Sequence, residues 1–192
     1  MTIIPLSSYK AANWMYENYW LVIVACVLAI VVECALICVR SLARKVPTNY
    51  ILLFLFTICE AYTVAFICAA SDPKIVLAAA FMTAAMVISL TVYAFVTKTD
   101  FTVLGGLFFI LGACLTMFCI FAFIVRYHVL NMAICAIGVV LFGLYLIFDT
   151  QLIMGGKRYQ LDIDEYIVGA LILYIDIIMI FLYLLRLLSN DR

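Results

Sequence analysis

The sequence predicts an all-α integral membrane protein, a polytopic helical bundle of six spans. Three observations predict it. Hydrophobic residues fill 70% of the 192 positions and charged residues 11%, whereas a soluble domain is nearer half apolar and a quarter charged. The apolar residues gather into six stretches, each near the ~20 residues that cross roughly 30 Å of hydrocarbon. Only short polar connections separate them. A soluble core of this size has no means of hiding so much apolar surface, so the bilayer is the solvent.

In chain order, "MTIIPLSSYKAANWMYENYW" comes first. It has one lysine and no small-residue cleavage site after a short apolar core, so it does not read as a signal peptide. Its Tyr9, Trp14, Tyr16, Tyr19 and Trp20 suit a membrane interface. The spans follow at approximately 18–40, 50–70, 75–97, 101–125, 129–152 and 165–188. The connections are "RSLARKVPTN", "SDPK", "TKTD", "RYH" and "GGKRYQLDID". Spans joined so tightly are antiparallel neighbours, and the whole of 1–192 reads as one transmembrane bundle.

Orientation follows the basic residues. Arg40, Arg44, Lys45, Lys98, Lys157 and Arg158 fall on one side, and Lys10, Lys74, Arg126, Arg186 and Arg192 on the other. The "RSLARK" cluster touches the first span and assigns its side to the cytosol. Six spans then put both termini on the far side. Ala80 with Ala84, and Gly105, Gly106 and Gly112, are small enough for helices to approach closely.

Several functions find no support. The net charge is zero, which gives no sign of a nucleic-acid partner. The eight cysteines all sit in apolar runs, none forms a CxxC pair, and His128 is the single histidine. That pattern reads as packing, not as a disulfide framework or a zinc site. Ser89 has no glycine motif beside it and His128 lies in a short loop, so serine proteolysis has no base in reach. An aspartyl intramembrane protease needs a glycine beside its second acid, and "LYID" has none. The chain is expected not to be an enzyme and to carry no cofactor.

The informative residues are the acids within the spans: Glu33, Glu60, Asp149 and Asp176. A charge at mid-span costs about 2.5–3.5 kcal/mol on insertion scales, and no lysine lies deep enough to offset it. Two carboxylates within hydrogen-bonding distance cannot both ionise cheaply, so such a pair holds a proton. It would exchange that proton for a hard cation such as calcium, which prefers oxygen ligands. Asp149 with Asp176 is the pair of choice. Asp176 lies about eleven residues, roughly 17 Å, along the sixth span. It meets Asp149 if the fifth helix continues through "TQLIM" or the sixth starts late, and "MGG" at 154–156 is a helix stop. Glu60, mid-span in "TICEAYTV", either lines an ion path or bonds a neighbouring helix.

The carboxyl-terminal third carries a resemblance. "FDTQLIMGGKRYQLDIDEYIVGALILYIDIIMIFLYLLRLL" (148–188) resembles the signature of the transmembrane Bax inhibitor motif family. "KVPTNYILLFLFTICEAYTVAF" (45–66) and "LTVYAFVTKTDFTVLGG" (90–106) resemble its lifeguard and Golgi anti-apoptotic branches. The resemblance implies a bundle of about seven helices with the last one central. It implies a calcium leak channel or pH-sensitive calcium regulator of an intracellular membrane that suppresses cell death. Endoplasmic reticulum or Golgi is favoured, with plasma or vacuolar membrane as alternatives. The family's paired aspartates match Asp149 and Asp176, which would gate the ion and bind calcium. Bacterial relatives latch this pair with an arginine from an early helix, for which Arg40 or Arg44 is the candidate here. Glu165, in "DEYI", matches an acid near the pore entrance. The family's first helix has no counterpart before the first span, and its presence would return the amino terminus to the cytosol.

Two functions compete on these grounds. One is a pH-gated calcium leak, with calcium ions, protons and the lipid bilayer as its partners. The other is a non-conducting regulator that binds other membrane proteins of cell-death pathways.

Overall fold

Helix runs through every apolar stretch, because lipid offers backbone amides and carbonyls no partner but each other. The computed structural model of the chain describes residues 9–125 and 127–189. Arg126, Arg192 and the side chains of Tyr9 and Lys10, used in the sequence reading, lie outside that description. The chain is an all-α polytopic membrane protein. Its helices are α1 (Tyr9–Glu17), α2 (Trp20–Cys38), α3 (Arg40–Arg44), α4 (Thr48–Ala69), α5 (Pro73–Val96), α6 (Gly105–Val125), α7 (His128–Met154) and α8 (Tyr166–Ser189). Two short 3₁₀ turns, Phe101–Leu104 and Ile163–Glu165, open α6 and α8. Among the described residues, six helices are long and apolar enough to span a membrane: α2, α4, α5, α6 and α8, the last two with their 3₁₀ turns, and α7. No strand occurs among the described residues.

The helix ends have local causes. Asp72 caps α5, its Oδ1 accepting from the Lys74 N–H at 2.9 Å, with Pro73 in the first helical position where no amide is needed. Asp100 caps the Phe101–Leu104 turn in the same way, accepting from the Thr102 N–H at 2.9 Å and the Thr102 hydroxyl at 2.6 Å. The fifth span outlasts its expected end at 152 and runs to Met154. It stops at Gly155 and Gly156, whose φ of 70° and 74° only glycine adopts without strain. No element is expected before the first span, yet α1 is a helix of 9 residues.

The chain divides into two compact units, residues 1–76 with 163–171, and residues 77–162 with 172–192. In the first, α2 packs along α4. Its buried stripe is Ala25, Ala29, Val32 and Leu36, a spacing that follows one face of a 3.6-residue period. Asn49, Phe56, Cys59, Val64, Ala65 and Cys68 are the buried residues of α4. In the second, Phe108, Leu115 and Ala122 of α6 cluster with Ile134, Cys135 and Leu141 of α7 and Tyr183 of α8. Gly138 lets Tyr183 lie flat on α7, where an added Cβ would sit 2.8 Å from the ring.

The outside carries the largest apolar side chains. Phe54, Phe81 and Phe109 are 67%, 70% and 77% exposed, which only lipid makes inexpensive. On α5 the buried small pair is Ala79 and Thr83 rather than the expected Ala80 and Ala84. Apolar residues occupy every face of this helix, so hydropathy does not select the buried one. All eight cysteines are free.

Candidate functional site

The second unit brings two acids together. Asp149 on α7 and Asp176 on α8 are both buried, 9% and 4% exposed, and lie near enough for a side-chain hydrogen bond between their carboxyls. A hydrogen bond between two carboxyl groups needs one proton between them, because an ionised carboxylate only accepts. Asp176 Oδ2 is buried with no partner among the described residues. A buried polar atom left unpaired is costly. The continuation of α7 through "TQLIM" carries Asp149 five residues inside the helix end, about 7.5 Å.

Two contacts tie this part of α7 in place. One turn before Asp149, the Tyr145 hydroxyl donates to the Phe108 carbonyl at 2.5 Å. It reaches that far because Gly112 presents no side chain there. Two residues after Asp149, Gln151 is fully buried. Its Oε1 accepts from the Phe101 N–H at 2.9 Å, and its Nε2 donates to the Thr99 carbonyl at 3.0 Å and the Ala94 carbonyl at 3.5 Å. The connection after α7 adds to this. Lys157 Nζ donates to the carbonyls of Thr97, Lys98 and Thr99 at 3.3–3.4 Å, in the connection just past the end of α5. The Arg158 N–H donates to Asp100 Oδ2 at 3.1 Å. The hydrogen bond from the Thr102 hydroxyl, with help from the Arg158 amide and the Lys157 charge, holds the Asp100 carboxyl below its usual range.

The first unit holds the other expected residues. Arg44 Nη2 lies 2.9 Å from Glu165 Oε1 and Arg40 Nε 3.8 Å from the same oxygen. Asn49, fully buried, donates from Nδ2 to the Ala43 carbonyl at 3.1 Å and to the Tyr166 hydroxyl at 3.3 Å. The corner between α3 and α4 is thus fastened to the turn that opens α8. Glu60 is half-buried on α4, with half-buried Glu33 of α2 as its acidic neighbour. Asn49, Asp100, Gln151 and Lys157 were not singled out by sequence reasoning. The signal available for Gln151 was its place in "DTQ", a primary amide within a span where no water offers it partners.

These features meet a family already suggested by the motifs. The family described as Bax1-I, inhibitor of apoptosis-promoting Bax1, matches residues 2–192. The chain belongs to this family. It is 38% identical over 159 residues to human protein lifeguard 3, covering 81% of this chain and 51% of that protein. It is 36% identical to the mouse protein lifeguard 3 over 81% of this chain and 52% of that one. It is 37% identical to the Arabidopsis thaliana protein LIFEGUARD 1 over 77% of this chain and 63% of that one. The chain therefore spans about half the length of the lifeguard 3 relatives. As a member of the Bax1-I family with six apolar helices, it is a multi-pass membrane protein.

Proposed function

We propose that this chain is a pH-sensitive calcium leak or calcium-homeostasis regulator of an intracellular membrane, gated by Asp149 and Asp176, and that it restrains cell death. The observation that carries the reading is the buried carboxyl pair with its unpartnered Asp176 Oδ2. While the two acids share a proton, they carry one charge between them and the helices stay closed around it. Loss of that proton leaves two negative charges in a low-polarity site, a state that must open to water or take up a cation. Calcium takes six to eight oxygen ligands. Two carboxyl groups supply at most four, so the pair suits a partly hydrated calcium in passage and not a closed cage. Family membership supports the restraint of cell death, through the description that the family carries.

Calcium entry into liposomes holding the purified chain, followed across a pH series, tests this. Asp176→Asn cannot pass through the doubly charged state and should lose the pH dependence of the leak. A leak from Asp176→Asn equal to that of the unmodified chain at every pH removes the pair as the gate. No leak from the unmodified chain leaves the non-conducting regulator as the better reading.

A further inference from the structure

We propose that Gln151 is the positioning residue of the carboxyl pair: its side-chain amide sets the rotation of α7 and so holds Asp149 against Asp176. The inference rests on the proton-sharing reading of that pair. Three observations carry it. Gln151 is 0% exposed, and all of its amide's bonds go to backbone. The oxygen takes the Phe101 N–H, and the nitrogen serves the Thr99 and Ala94 carbonyls. A side chain bound only to backbone locates a segment whatever the neighbouring side chains do.

Residues two apart on an α-helix point roughly 200° away from each other. Gln151 therefore grips the α5–α6 connection on one side of α7 while Asp149 meets Asp176 on the other. Any rotation of α7 that withdraws Asp149 from Asp176 must pull Gln151 off at least one of its partners. The Phe101 N–H would then lose its partner in a segment beside the bilayer, and the Thr99 carbonyl would keep only the longer bond from Lys157. The Tyr145 bond to Phe108, a turn and a half earlier, fixes α7 against α6 at a second point. Two separated anchors restrain rotation where one would leave a pivot.

Infrared spectroscopy of the full chain in lipid tests this without measuring flux. The protonated carboxyl of the pair gives a carbonyl-stretch band that Asp149→Asn and Asp176→Asn each alter. Gln151→Met keeps the length and removes all three bonds. It should shift or broaden that band. Gln160→Met is the control. It removes the bond from the Gly156 N–H to Gln160 Oε1, 3.1 Å, in the connection after α7, and should leave the band in place. Gln151→Asn, one methylene too short to keep all three bonds and without a carboxyl of its own, carries the same test if Gln151→Met does not fold. A band unmoved in Gln151→Met, or moved equally in Gln160→Met, overturns the positioning role while the pair reading stands. If the unmodified chain has no such band, the pair reading fails and this inference with it.

Discussion

Arg44 Nη2 and Glu165 Oε1 lie 2.9 Å apart, joining a corner after the first span to the turn that opens the last helix. The Glu165 side chain is only 15% exposed and that of Arg44 37%, so the pair is screened less than a surface bridge. Arg40 meets the same oxygen from further away and is 79% exposed. Both arginines considered as latch residues thus engage the acid expected at the pore entrance. A double-mutant cycle with Arg44→Gln and Glu165→Gln should return a coupling of about 1 kcal/mol in thermal unfolding in detergent. The same cycle with Arg40→Gln should return a smaller value. Equal couplings would mean that distance and burial do not rank the two arginines.

Asn49 lies behind that ion pair and is predicted to matter more for stability. Asn49→Leu strips partners from the buried Ala43 carbonyl and from the Tyr166 hydroxyl. The expected loss is about 1–3 kcal/mol, read as a lower unfolding midpoint. A loss below that of Arg44→Gln contradicts the ranking.

In the second unit, Gly138→Ala tests close packing. Its new Cβ would sit 2.8 Å from the Tyr183 ring, which also packs against Phe142 with centroids 5.7 Å apart. The ring has to move, which disturbs the Cys119–Tyr183 contact of 3.6 Å. Overpacking of this kind costs about 1–3 kcal/mol. Gly106→Ala, with nothing within 4 Å of the added carbon, should leave the unfolding midpoint unchanged or raise it, because glycine weakens a helix.

Asp100 predicts a response to acid. Its pKa in the folded chain is lowered below the ordinary 3.8, chiefly by the Thr102 hydroxyl. A lowered folded value means that the carboxylate contributes stability above 3.8, and that this is lost as pH falls through the lowered value. Unfolding measured down a pH series should therefore show a decline in this window that Asp100→Asn lacks. A decline of the same depth in both proteins assigns it to other groups.

Much of the fold was legible because lipid makes the reading simple. A stretch of ~20 apolar residues must be helical and must span. Asp149 and Asp176 were found for the same reason, since an acid in such a stretch stands out by its cost. Asn49 and Gln151 passed unnoticed because a neutral amide is far less conspicuous in composition, and its value lies in partners remote in sequence. Asp100 reads as a loop acid until Arg158, 58 residues away, is placed against it.

The sequence by itself determined that this is a polytopic helical membrane protein, where its spans lie, and which family its motifs belong to. Only the tertiary structure decided which faces are buried. On α5, Ala79 and Thr83 turn inward and Ala80 and Ala84 outward, a choice that hydropathy does not contain when every face is apolar. The structure also decided that Glu165 receives Arg44 and that α7 runs far enough to bring Asp149 to Asp176. Periodicity reports solvent only when the solvent differs from the core. In hydrocarbon the two are alike, and the rotation of each helix is left to packing and to a few buried polar groups.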